Sequence, residues 1–171
     1  MATRPLTRIV MLALILGSHT TAQADDTWQA CHQADVKALR VFTVGEAILL
    51  RKNCQASDLL TPPVKLEFAY FREVPGDAFA KAAMHYLEKN LTKDTFTALS
   101  PRLEAFNQHY RDVSDGDRYA LIWQQQQLEL YLNDTLLTHE TGDTFARHYL
   151  QIWFGNTPYS RSLKQDLLGA R

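Results

Sequence analysis

One stretch limits the architecture of this chain more than any other. Residues 117–139 carry three short β-rich runs separated by tight turns, and a helical period follows at once. Residues 117–124 (DRYALIWQ) and 127–133 (QLELYLN) are rich in aromatic and aliphatic side chains suited to a half-buried sheet. Between them the glutamines at 124–127 mark a strand reversal. Asn133-Asp134 is a two-residue turn of residues that tolerate left-handed backbone, so residues 135–139 return as a third strand. The chain therefore has to accommodate a meander handed directly to a helix.

Upstream, residues 36–50 (VKALRVFTVGEAILL) form a long strand or a hairpin. Alternation puts Leu39, Val41, Thr43, Ala47 and Leu49 on one face, and Arg40, Phe42, Val44 and Ile48 on the other. Gly45 interrupts this run as a bulge or a break. In residues 64–72, Val64, Leu66, Phe68 and Tyr70 face one way while Lys65 and Glu67 face the other, a sheet with one covered and one wetter face. After Pro75-Gly76-Asp77 the period becomes helical: Phe79, Ala82, Ala83, Tyr86 and Leu87 share a face, with Lys81, Glu88 and Lys89 outside. A second helical stretch covers about 92–110, with a break expected where Ser100 caps and Pro101 opens a new helix. Asp115-Gly116 is a turn. Phe145, Tyr149, Ile152 and Trp153 repeat the helical stripe up to Gly155, and Ser160 caps a last short helix with Leu163 and Leu167, stopped by Gly169. Helices grouped in blocks, rather than alternating with single strands, point to an α+β domain and not a doubly wound parallel sheet.

Residues 1–24 have the form of a secretory signal peptide. Arg4 and Arg8 precede an apolar run at 9–16, and Ala22-Gln23-Ala24 offers small residues for cleavage. The run is shorter than the about 20 residues a resident membrane helix needs. The expectation is a single domain over residues 25–171, periplasmic or secreted, with no stable membrane insertion after cleavage. The whole chain has a formal charge of −1, and losing the signal removes two arginines and no acid. A mildly acidic chain without a basic run has no electrostatic reason to bind nucleic acid.

Two cysteines, Cys31 and Cys54, suggest one disulfide in an oxidising compartment, against the alternatives of free thiols or a redox pair. They are too far apart for C-x-x-C, and no His-Cys cluster accompanies them, so neither metal nor cofactor is implied. The histidines His32, His85, His109, His139 and His148 are scattered without metal-ligand spacing, and no G-x-S-x-G occurs. His85 and His148 lie on apolar-striped helices, where they could line a cleft.

The series GDRYAL, LYLND, FAR, IWFG, P-x-S and LLG, in that order from Gly116 to Gly169, resembles the bacterial chalcone isomerase-like proteins. RVFTVGEAIL at 40–49 and Tyr70-Phe71-Arg72 are the best matches in the first half. The resemblance implies an antiparallel β-sheet with helices layered against it. In the enzymes of that fold, a phenolate attacks an enone while hydrogen-bond donors and a cation stabilise the developing enolate. The resemblance places the enzyme's arginine near Cys31, its threonine at Thr43, its tyrosine at Phe79, its asparagine at Tyr86 and its late hydroxyl at Ala146. One of these five is kept, so the resemblance implies a non-catalytic branch.

Three uses of the fold compete. The first is a binder of a fatty acid or other apolar molecule between sheet and helices, because Phe79, Ala82, Ala83 and Tyr86, with Phe145, Ala146 and Tyr149, mix large and small side chains that can leave a pocket. Arg40, Arg72 and Thr43 are the candidates to hold a carboxylate. The second is a residual or altered isomerase using Thr43, Tyr86 and His148. The third is an envelope protein-interaction module with a filled core and a partner that nothing in the sequence names. The ligand-binding candidates are thus Arg40, Thr43, Arg72, Phe79, Tyr86, Ala146 and His148.

Overall fold

Six strands lie side by side in sequence order in one antiparallel sheet: β1 (Gln29–Ala38), β2 (Phe42–Arg51), β3 (Val64–Tyr70), β4 (Arg118–Gln124), β5 (Gln127–Leu132) and β6 (Thr135–Thr141). The computed structural model describes residues 27–38, 42–55, 58 and 60–170. The proposed signal at 1–24, and Leu39, Arg40 and Val41, lie outside the described residues. Helices α1 (Gly76–Asn90) and α2 (Lys93–Asn107) intervene between β3 and β4, which nevertheless pair directly. Helices α3 (Asp143–Tyr149), α4 (Gln151–Phe154) and α5 (Arg161–Leu167) follow the meander. The architecture is α+β, as the blocked order of elements implies.

Register explains the core. Leu49 pairs with Leu66, Leu66 with Leu121 and Leu121 with Leu130, so four buried leucines form a row across β2 to β5. Phe68 opposite Tyr119 and Val64 opposite Trp123 extend the same face. α3 packs on β5 and β6, while α5 packs on β1 and β2. The other face of β3 carries Lys65 and Glu67. Glu67 accepts from Lys65 at 2.7 Å and from Arg118 at 2.8 Å. Burial pushes the Glu67 carboxyl up, but these two cations outweigh it and leave its pKa below the usual value.

The turns take the conformations their residues permit. Asn133 and Asp134 have φ of 47° and 65°, and Gln125 and Gln126 have φ of 48° and 60°, two primed hairpin turns that suit the strand twist. The described residues of 36–50 pair as two antiparallel strands, β1 and β2, and β1 begins earlier than alternation alone suggests, at Gln29. Val36 pairs with Gly45 but Lys37 pairs with Thr43, so Val44 is the extra residue of a bulge. The bulge corrects the facing expected from strict alternation: Val44 is buried with Ala47 and Leu49 instead of opposing them. A Cβ at Gly45 would overlap the Ala69 carbonyl oxygen, which is why only glycine fits there.

Cys31 occupies a second irregularity, between the Ala30 and His32 pairings. It is joined to Cys54 just beyond β2, with Cα atoms 5.3 Å apart. The expected break at Ser100-Pro101 is absent, and α2 runs through Pro101. Phe96 and Leu99 before the proline are in helical phase with Leu103 and Phe106 after it, and all four pack on the core. That continuous apolar stripe outweighs the backbone hydrogen bond the proline cannot make. The Ser100 hydroxyl donates to the Phe96 carbonyl at 2.8 Å instead of capping a new helix.

Candidate ligand site

A cavity of about 200 Å³ lies between the sheet and the helices. Val44, Phe68, Tyr70, Tyr119 and Leu121 line its sheet side, and Phe79, Ala82, Ala83, Ile152 and Trp153 its helix side. The space follows from the sequence of α1. Short alanines at 82 and 83 stand opposite large rings, and those rings prop one another. The Phe79 ring centroid lies 5.3 Å from Tyr70, 5.4 Å from Tyr110 and 5.2 Å from Tyr119. Phe68 and Trp153 meet at 5.2 Å. Such edge-on and tilted contacts fix the walls without filling the middle.

Four phenols give the cavity its polarity: Tyr70, Tyr110, Tyr119 and Tyr159 all line it. Three already spend their proton. Tyr119 donates to the Arg111 carbonyl at 2.8 Å while accepting from the Arg111 amide at 2.7 Å. Tyr149 donates to Asn107 Oδ1 at 2.6 Å, so the 3.0 Å contact between Tyr110 and Tyr149 is donated by Tyr110. Tyr159 donates to the Lys37 carbonyl at 3.3 Å. The Tyr70 hydroxyl has no hydrogen-bond partner among the described residues. Burial, reinforced by Tyr110, Tyr119 and Tyr159, pushes the Tyr70 pKa well above the phenol value. Burial likewise raises Tyr110, Tyr119 and Tyr159. These groups are neutral at physiological pH and act as hydrogen-bonding walls rather than bases. No charged side chain lines the cavity among the described residues.

Beside the cavity, and sharing Tyr159 with it, lies a second concavity of about 750 Å³. Lys37, Tyr86, Lys89, Ser160, Arg161 and Ser162 line it. Its shape depends on Asn90 at the end of α1. The Asn90 amide donates to the Thr157 carbonyl at 2.8 Å and accepts from the Thr157 amide at 2.8 Å, pinning the segment after α4. Lys164 Nζ adds a bond to the Gly155 carbonyl at 2.8 Å.

The residues singled out from the sequence divide between these places. Phe79, Ala82 and Ala83 line the cavity, whereas Tyr86 lines the outer groove. Ala146, with Phe145 and Tyr149, is sealed in the core, where Phe106 meets Phe145 at a tilt and Tyr149 edge-on. Thr43 is half-buried beside Val44 and Arg72 is exposed after β3, and neither lines the cavity. His148 is half-buried on α3, within 3.4 Å of Gln151, with burial and Arg147 holding its pKa below the usual value. Arg40 lies outside the described residues. Sequence reasoning missed the phenol set. Tyr70 was visible as an inward position of β3, but Tyr110, Tyr119 and Tyr159 come from three separated segments.

Comparisons with known proteins bear on this arrangement. No curated protein matches the chain significantly. The crystal structure of a fatty-acid binding protein from Arabidopsis thaliana superposes with a TM-score of 0.62. It covers 84% of this chain and 87% of its own at 11% identity, a likeness of fold. The sequence pattern described as chalcone isomerase-like matches residues 49–169, from within β2 to beyond α5. That match spans most of the sheet, both helix blocks and nearly the whole cavity wall, and on it the chain belongs to the chalcone isomerase-like family.

Proposed function

We propose that this protein is an exported, non-catalytic member of its family that binds an apolar small molecule, a fatty acid or a compound of similar character, in the sheet–helix cavity. The observation that carries the proposal is the cavity itself, walled by aliphatic and aromatic side chains and by phenols whose protons are mostly engaged. The fold-level likeness to a fatty-acid binding protein supports the same reading. An engineered apolar cavity of about 150 Å³ admits benzene, so about 200 Å³ suits a compact ligand or the end of a chain. Taking each methylene as close to a water's share of about 30 Å³, roughly seven chain carbons fill it.

The isomerase alternative has less support. The position its resemblance assigns to a tyrosine is Phe79, which has no hydroxyl, and Ala146 is enclosed in the core. Export of residues 25–171 is supported by the signal-like leader and by the Cys31–Cys54 bond, which persists in oxidising compartments. Among the described residues no helix is long and apolar enough to cross a membrane.

Native mass spectrometry of the mature protein, followed by denaturing extraction, tests the proposal. A near-stoichiometric apolar molecule, or uptake of the compact neutral fluorophore naphthalene, is expected. A protein that is empty and takes up no such probe would sink the idea and favour a protein-interaction module.

A further inference from the structure

The cavity and the outer groove differ sharply in chemistry while sharing one wall. Tyr159 lines both, and its ring meets Tyr86 of the groove edge-on at 5.6 Å. The groove collects three cations, Lys37, Lys89 and Arg161, and no carboxylate lines it among the described residues. This clustering occurs on a chain whose overall formal charge is −1, so it is a local feature and not a consequence of a basic protein. Of the three, Lys37 has an exposed partner, Asp35, at 3.9 Å, and Lys89 lies over the Tyr86 ring at 5.9 Å. The hydroxyls of Ser160 and Ser162, 3.0 Å apart, add hydrogen-bonding capacity on the same wall.

The cavity, by contrast, cannot satisfy an anion. A carboxylate taken out of water needs a paired cation or several donors. Among the described residues the cavity offers no cation, and the protons of Tyr110, Tyr119 and Tyr159 are already given to Tyr149, Arg111 and Lys37. One hydroxyl, that of Tyr70, is left. A charged group therefore belongs outside, and a cationic surface begins at Tyr159, which lines both spaces.

We propose that the groove formed by Lys37, Lys89 and Arg161 holds the anionic head group, carboxylate or phosphate, of a single-chain amphiphile whose tail passes Tyr159 into the cavity. This rests on the cavity reading above and specifies the ligand's class and orientation: charge outward, chain inward. It also places charge recognition on β1, α1 and the start of α5 rather than on Thr43 or Arg72.

Matched eight-carbon probes test this: octanoate, octyl phosphate and octan-1-ol, each competing with naphthalene for the mature protein. At low salt both anions are expected to displace the probe about tenfold more effectively than the alcohol, a few-fold from each partly exposed charge contact. The preference is expected to shrink at high ionic strength and to fall to about twofold, the share left to Lys37, in the double variant Lys89→Gln/Arg161→Gln, while octan-1-ol binding stays the same. Both side chains are exposed, so the variant retains the fold, and circular dichroism checks that it does. Equal displacement by all three probes, or a preference undiminished in the variant, overturns the head-group assignment and leaves the apolar cavity standing. Inorganic phosphate binding as tightly as octyl phosphate would make the groove a free-anion site and also overturns it. If the neutral probe itself is never taken up, the cavity reading fails and the head-group assignment falls with it.

Discussion

Replacing Ala83 by leucine separates an open cavity from a packed core, because the two give opposite signs. Ala83 is 3% exposed and forms part of the α1 wall of the cavity. Leucine adds three carbons, roughly 90 Å³ at about 30 Å³ each, which is close to half of the approximately 200 Å³ space. Filling that much void at about 24 cal/mol per Å³ stabilises the fold by about 2 kcal/mol, and three buried methylenes at about 0.8 kcal/mol each give a similar figure. Lost leucine rotamer freedom subtracts about 0.5–1 kcal/mol, while the helix propensities of Ala and Leu are close. The net expectation is a gain of about 1–1.5 kcal/mol, or roughly 3–5 °C in Tm for a chain of this size. Urea unfolding with an unchanged slope measures it. The same substitution is expected to weaken uptake of a neutral apolar probe by more than about tenfold, since ligand carbons lose the space the leucine takes. Ala105→Leu, on the exposed side of α2, is the control and is expected to change neither. A loss of about 1–3 kcal/mol with probe uptake unaltered would refute the reasoning, because overpacking is destabilising in a core that is already full.

Three further outcomes follow from individual contacts. The Cys31–Cys54 bond spans a sequence separation of 23, so the chain-entropy relation gives a loss of about 3 kcal/mol for Cys31→Ser/Cys54→Ser, measurable by urea unfolding and absent if the bond does not form. Tyr149→Phe removes the donor to Asn107 Oδ1 at a site where Asn107 Nδ2 already has no partner, and should cost about 1–3 kcal/mol. Adding Asn107→Leu should recover part of that cost, and strict additivity in a double-mutant cycle would contradict the shared network. For Glu67, the lowered folded pKa means that its stabilising contribution is present at neutral pH and is lost as pH falls below about 4.5, the unperturbed value, through the folded one. Glu67→Gln should therefore flatten the acid limb of the stability profile, and an unchanged limb would assign acid sensitivity elsewhere.

Much of the fold was legible because it depends on short-range chemistry. Asn133-Asp134 announced its hairpin through backbone that few other residues adopt, and the alternation Val64, Leu66, Phe68, Tyr70 fixed the inward face of β3. Ser160 and Gly169 bounded α5 as their capping preferences require. Where local signals failed, a tertiary contact had overruled them. Pro101 should end a helix, yet the stripe from Phe96 to Phe106 finds one continuous surface to cover. Val44 should face away from Ala47, yet the β1–β2 register inserts a bulge that turns it inward, and Gly45 lets β3 approach.

The candidate site was legible only in part, for a related reason. The mixture of Phe79 with Ala82 and Ala83 lies within one helix turn, so the sequence displays half of the cavity wall. The phenols that decide its polarity arrive from β3, β4 and the segments after α2 and α4, and no spacing connects them. Lys37, Lys89 and Arg161 look in sequence like ordinary solvated cations, and only the docking of α5 on β1, beside the end of α1, gathers them in one groove. The sequence by itself determined the α+β class, the meander, the turns and the core-facing stripes, because each is set by residues within a few positions of one another. Tertiary structure alone decided where charge and void meet, because that depends on which distant surfaces the packed sheet brings together.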